Sequence, residues 1–284
     1  MRFKKILKII GAVFLALFLV LYLLFVNFSS PKSDANIQEA FAEKSVKPKI
    51  TRHLYQNFEY RKISMQPTLD TLKTTVVFIH GAIGSLMDFK KYLSDSVLRK
   101  NANLIAYDRI GYNYEDKHFA QQSLDFEVSV LNDVTKHLNP LKTVLVGYSY
   151  GGPIALAVKE KYKSIVLLAP AVYSKVEPLP WMLNIYKWKA TRWLVPHVWK
   201  SASLEKITHK SELQKYESNW HENSSSIISI HGNDDGIVPY ENSLYLQDLF
   251  PESNFKLQTL EGAGHDLVWT KSDYILDILK QVIN

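Results

Sequence analysis

Two kinds of apolar pattern run along this chain. Residues 9–28 carry no charge and are apolar almost throughout. About twenty residues at helical rise reach about 30 Å, the hydrocarbon thickness of a bilayer. Further on, short apolar runs alternate with longer amphipathic segments. Thr75-Val76-Val77-Phe78-Ile79 is nearly continuously apolar, as a parallel strand covered on both faces requires. Residues 103–107, 143–146, 164–168 and 226–230 repeat the pattern, and 255–260 is a weaker last strand. Helices are expected over 86–100, 123–138, 151–161, 241–250 and 267–283, and partial alternation over 58–65 reads as an edge strand or hairpin. The alternation predicts an α/β fold, a mostly parallel, doubly wound sheet with helices on both faces.

One interval breaks the rhythm. Residues 172–225 hold no clear strand but five of the six tryptophans, so a helical lid is expected there. Between Pro180 and Pro196, Trp181, Ile185 and Trp188 recur at helical spacing, with Lys187, Lys189 and Arg192 nearby. Pro180 suits a helix start and Pro196 a stop. The ordinary reading is a cap helix whose aromatic stripe packs on the domain. The sharper one puts Trp181, Ile185 and Trp188 along the wall of a pocket, or at a lipid interface where Trp with Lys and Arg is favoured.

Charge sharpens the N-terminal picture. Of the net +6, Arg2, Lys4, Lys5 and Lys8 supply four charges, leaving +2 for the rest of the 284 residues. A nucleic-acid-binding face is therefore not indicated. Those cations directly precede the apolar run, so residues 1–30 read as a transmembrane anchor, with the N-terminus cytoplasmic and the following domain extracytoplasmic. A cleaved signal peptide would have a shorter apolar region and small residues at its cut site, where Val26-Asn27-Phe28 is a poor match. Residues 31–50, polar with two prolines, read as a linker, and 51–284 as the domain, with its lid at about 172–225. The chain has no cysteine, which excludes disulfides and thiolate metal sites. No metal-ligand spacing such as His-Glu-x-x-His occurs, and neither metal nor organic cofactor is expected.

The chemistry gathers just after predicted strands. Gly147-Tyr148-Ser149-Tyr150-Gly151 follows one strand and opens a helix. A serine on such a sharp turn needs small neighbours two residues away, and the helix N-terminus favours developing negative charge. The five-residue pattern alone is weak; its strand–turn–helix setting gives it weight. His80-Gly81-Ala82 follows another strand, where the Ala82 N–H and the Tyr150 N–H together could form an oxyanion hole. His231-Gly232-Asn233-Asp234-Asp235 offers two carboxylates that compete to orient a histidine, although Asp and Gly are also common turn formers. Gly262-Ala263-Gly264-His265 supplies that histidine; in isolation such a loop His is most often a solvated surface group. The order Ser149, Asp235, His265, each after a strand, is the order of a nucleophile elbow with its acid and base.

From about Arg61 onward, apart from the lid, the chain resembles the α/β-hydrolase superfamily. The match lies in the His-Gly loop at His80, the elbow at Ser149, the Gly-x-x-Asp-x-x-Val-Pro loop that selects Asp235 over Asp234, and the Gly-His loop at His265. Asp108-Arg109-Ile110-Gly111 also looks like the Asp-x-x-Gly loop common in that family, a structural element with Tyr112 expected near the pocket; its continuation, Tyr112-Asn113-Tyr114-Glu115, departs from the usual pattern. The resemblance implies acyl transfer to water, with a small-molecule carboxylic ester as the base-rate substrate. The same fold hosts peptidases, C–C bond hydrolases, acyltransferases and non-catalytic ligand binders.

Overall fold

The computed structural model describes residues 2–284. Eight strands form one sheet: β1 (Lys49–Tyr55), β2 (Phe58–Ser64), β3 (Thr74–Ile79), β4 (Ala102–Tyr107), β5 (Thr143–Tyr148), β6 (Ser164–Leu168), β7 (Ser226–Gly232) and β8 (Phe255–Leu260). Their spatial order is β1-β2-β4-β3-β5-β6-β7-β8. β1 and β2 form an antiparallel hairpin that joins β4 antiparallel; every pairing from β4 to β8 is parallel.

The helices are α1 (Arg2–Ser29), α2 (Asp34–Ala42), α3 (Lys90–Ser94), α4 (Ser96–Asn101), α5 (Leu124–Thr135), α6 (Gly151–Leu156), α7 (Leu183–Lys187), α8 (His197–Tyr216), α9 (Glu241–Leu249), α10 (Leu267–Thr270) and α11 (Ser272–Ile283). Alternate residues of the central strands face two separate cores. Val76, Phe78, Val144 and Val146 pack with Phe89, Tyr92, Leu276 and Leu279 on one side. Val77, Ile79, Leu145 and Leu167 pack with Val130, Leu131, Ile154 and Leu246 on the other. Both faces being covered explains why these strands read as unbroken apolar runs.

Several expected helices are shorter than their apolar patterns. The 86–100 stretch is a 3₁₀ turn followed by α3 and α4, with Asp95 leaving the helix and capping α4 through Leu98 N–H at 2.7 Å. The last helix is divided at Lys271.

The segment expected as a linker is folded. Ser33 caps α2 by accepting from Asn36 N–H, and Ile37 and Phe41 are fully buried in the core that also holds Phe78. Arg61, fully buried in β2, fastens this segment. Its guanidinium reaches Asp34 and the Lys32 carbonyl at 2.8 Å each, and pairs with the buried Asp108 at 2.7 Å. The helix thus belongs to the domain.

α1 is different. Its apolar side chains are exposed around the helix, and Phe3–Ser29 is long and apolar enough to cross a membrane. Its C-terminal end touches the rest of the chain: Phe25 packs on Trp199 at 5.4 Å between ring centroids, and Trp199 Nε1 donates to Ser29 Oγ at 2.9 Å.

Removing the Phe41 ring leaves a cavity in a closed core, so Phe41→Ala should cost about 3–5 kcal/mol. Urea denaturation of the full chain in detergent checks this. A passive linker would show no change.

Candidate active site

Parallel strands in register present their C-terminal ends along one edge. Ile79 pairs with Gly147, Tyr148 with Leu168, Leu168 with Ile230, and Gly232 with Leu260. The loops that follow β3, β5, β7 and β8 therefore emerge side by side, where ligands of open α/β sheets bind.

Ser149 follows β5 directly and has φ +53°, a left-handed conformation strained for a non-glycine residue. The flanking glycines answer to space. A Cβ on Gly147 would lie 2.3 Å from the Gly151 carbonyl oxygen, and one on Gly151 would lie 2.2 Å from that of Ile79. The turn is held by Ser149 N–H donating to the Leu168 carbonyl at 2.9 Å and by Gly152 N–H donating back to the Ser149 carbonyl at 2.9 Å.

Three side chains from three loops meet in a line. Ser149 Oγ lies 3.0 Å from His265 Nε2, and His265 Nδ1 lies 2.7 Å from Asp235 Oδ2. With Nδ1–H donating to the carboxylate, Nε2 is free to accept the serine proton. Asp235 is buried, whereas Asp234 is exposed. Burial alone would raise the Asp235 pKa, but hydrogen bonds with His231 and His265, and from Val238 N–H, pull it well below the usual carboxylate range. Its other backbone contact is Ile237 N–H at 2.9 Å.

Two neighbours of this line went unassigned in the sequence. His231, buried at the end of β7, places Nε2 3.3 Å from Asp235 Oδ2 and bonds Ser243 through Nδ1. Tyr148, inside the elbow, stacks on the His265 ring at 5.2 Å and donates its hydroxyl to the His265 carbonyl at 2.8 Å. Both lay inside quoted motifs, but neither position distinguishes an orienting group from a packing residue. Tyr112 is fully buried, and its hydroxyl donates to Glu205.

The lid departs from expectation in detail. α7 spans only Leu183–Lys187, and Trp188 already has extended backbone. The carbonyls that the helix end leaves without backbone partners are satisfied by side chains: Thr191 Oγ1 donates to the Ile185 carbonyl, and the Arg192 guanidinium donates to those of Tyr186 and Lys187. Pro196 begins a helix instead of stopping one, since α8 starts at the next residue. Trp181, Ile185 and Trp188 are 75%, 40% and 65% exposed, so they do not form a continuous stripe packed on the domain.

A family model described as alpha/beta hydrolase fold matches residues 74–214. The chain belongs to the α/β-hydrolase superfamily. Among solved structures, MGS-M2, an α/β hydrolase enzyme from a Medee basin deep-sea metagenome library, aligns with TM-score 0.62 and 19% identity over 82% of this chain and 96% of its own. A membrane phospholipase A, described as a bacterial virulence factor, aligns with TM-score 0.64 and 14% identity over 100% of this chain and 99% of its own. The esterase EaEST from Exiguobacterium antarcticum aligns with TM-score 0.63 and 16% identity, covering 80% and 96%. The uncharacterized hydrolase YugF of Bacillus subtilis (strain 168) is 29% identical over 111 residues, 36% of this chain and 39% of that protein. The three solved structures share the fold of this chain.

The depressed Asp235 pKa carries a sign. The native state favours the carboxylate, so the stabilisation is fully present above the unfolded value of about 3.9 and is lost as pH falls toward the native one. Asp235→Asn should therefore lower the melting temperature at pH 7, and the gap from wild type should narrow below about pH 4. The same change should cut ester turnover by about 10⁴-fold, while Asp234→Asn leaves it near wild type. If Asp234→Asn proves the more damaging, the orienting acid has been misassigned by one residue.

Proposed function

We propose that this chain is a membrane-anchored serine hydrolase that cleaves a carboxylic ester of an apolar acyl group. The observation that carries the reading is the line Asp235–His265–Ser149, with contacts of 2.7 and 3.0 Å. Ser149 Oγ attacks the ester carbonyl as its proton passes to His265 Nε2. Asp235 holds the imidazole in the Nδ1–H form and stabilises the cation. The Ala82 and Tyr150 N–H groups receive the oxyanion. His265 then returns the proton to the leaving alkoxide, and an acyl-Ser149 ester remains. Water, deprotonated by His265, releases the acid and restores the serine. The reaction as written uses protein groups and water alone.

Two features support an apolar, membrane-associated substrate. α1 has the length and composition of a single span, and a membrane phospholipase A shares the fold over the whole chain. Trp181, Trp188 and Trp193 are exposed on the cap beside Lys187, Lys189 and Arg192, while the same cap meets the end of α1 through Trp199. Trp with Lys and Arg is favoured at a bilayer interface. In this reading Trp181, Ile185 and Trp188 meet the acyl chain of a substrate presented at the membrane surface. The rival, a non-catalytic binder of this fold, has no use for the proton path from Ser149 to Asp235.

Ser149→Ala should abolish fluorophosphonate labelling and lower turnover of a p-nitrophenyl ester by several orders of magnitude. Undiminished turnover in that variant would sink the mechanism. On vesicles, longer acyl esters should be preferred to acetyl esters, and Trp188→Ala should raise KM most for the longest chains. The full chain should also resist carbonate extraction. A flat chain-length profile would assign the segment to packing, and recovery of a mature protein lacking residues 9–28 would show a cleaved signal peptide.

A further inference from the structure

Behind the oxyanion loop lies a fully buried group of charged and aromatic side chains that the proposed reaction does not use. Its centre is Arg109, in the loop after β4. One Nη donates to Glu205 Oε1 at 2.7 Å, and the other donates to Oε2 at 3.1 Å. Glu205 lies on α8, in the cap, and its Oε2 also accepts from the Tyr112 hydroxyl at 2.5 Å. Glu127 stands 3.4 Å from the same guanidinium, but burial pushes its carboxyl up to about 7. Glu205, which takes both Nη groups, is therefore the orienting partner.

Arg109 contacts the Gly81–Ala82 peptide unit through its carbonyl and Tyr150 through its ring, the two residues that would supply the oxyanion donors. Its second Nη also donates to the Gly81 carbonyl at 3.3 Å, which accepts from His80 Nδ1–H at 2.7 Å as well. His80 in turn accepts the Arg109 backbone N–H at Nε2, 2.9 Å away. Burial and then the charge of Arg109 depress the His80 pKa, in keeping with the neutral tautomer these bonds require. Gly81 C=O and Ala82 N–H belong to one peptide unit, and in a planar trans peptide the two point in opposite directions. Holding the carbonyl against Arg109 and His80 turns the Ala82 N–H the other way. This unit lies against the nucleophile, since a Cβ on Gly81 would come within 2.8 Å of Ser149 Cβ. On its other side the guanidinium sits 4.7 Å from the ring centroid of Tyr150, whose N–H is the second oxyanion donor.

We propose that Arg109 and Glu205 are a positioning pair that sets the direction of both oxyanion N–H groups, so that the cap helix holds the catalytic loop in register. The inference rests on the serine-hydrolase reading. It assigns the cap a role in turnover that is separate from covering substrate.

The test uses the full chain in detergent. Active sites are titrated to completion with a fluorophosphonate. Then kcat and KM are measured for a p-nitrophenyl ester, together with Ki for an alkyl trifluoromethyl ketone. That ketone adds Ser149 Oγ to its carbonyl and leaves a tetrahedral oxyanion, so its affinity reports on the hole directly. A displacement of about 1 Å at a reacting centre costs on the order of 10²-fold. Glu205→Gln and Arg109→Lys should lower kcat per titrated site by about 10- to 100-fold, with KM near wild type. Ki should rise by the factor by which kcat falls. Tyr112→Phe, which removes one hydroxyl from Glu205, should move kcat and Ki the same way by less, and it decides the matter if the charge variants fail to fold. Wild-type kcat and Ki per titrated site, with only the melting temperature lowered, would reduce the pair to structural packing and overturn the proposal. Wild-type protein that is neither titrated nor active would overturn the hydrolase reading, and this inference with it.

Discussion

A serine held at φ +53° at the end of β5 is the constraint on which the other parts of the site depend. That conformation is costly for a residue with a side chain, and it persists because the surroundings leave no alternative. Gly147 and Gly151 are pressed against backbone too closely for any Cβ, and β6 supplies the carbonyl that takes the Ser149 N–H. The hydroxyl is thereby lifted off the sheet toward the loops after β7 and β8. Because those strands are parallel and in register, Asp235 and His265 arrive at the height of Ser149 without long excursions of chain.

The same edge explains the polar interior of the cap. Loops that leave strand ends have backbone groups without ladder partners, and burying them unpaired is costly. α8 answers with a polar inward stripe. Ser201 Oγ donates to the Gly111 carbonyl, His209 Nε2 meets the Ala171 carbonyl, and Glu212 accepts the Leu124 N–H. Glu205 pairs instead with a side chain, the buried Arg109 guanidinium. The cap is thus docked by directional bonds to the loops around the site, where an apolar stripe would have packed with less regard to angle.

This arrangement also accounts for what could be read from the sequence. Strands buried on both faces announce themselves as apolar runs, and the elbow, acid and base loops announce themselves by glycines beside Ser149, Asp235 and His265. α8 was invisible because its buried face mixes the apolar Val198, Ala202 and Leu213 with the polar Ser201, Ser203, Glu205, His209 and Glu212, which leaves no clear apolar period. The reverse error befell Trp181, Ile185 and Trp188. They have helical spacing, yet the backbone turns extended at Trp188, and Thr191 and Arg192 satisfy the carbonyls at the end of α7. α2 was hidden for a third reason: two apolar residues, Ile37 and Phe41, are too few to mark nine residues as a helix, and the buried Arg61 that ties its start down is distant in sequence. Local pattern carries the layers and the proposed reacting groups; the bonds that orient those side chains come from partners far along the chain.

In the proposed reaction Ser149 becomes acylated during each turnover. Acid-quenched mixtures of the full chain with an activated ester, digested with trypsin, put it to the most direct test. Tandem mass spectrometry should find the acyl group on Ser149 within the tryptic peptide 143–159, formed within one turnover and lost on further incubation. Steady ester hydrolysis with that peptide always unmodified, or with the acyl group on another residue, would contradict the account.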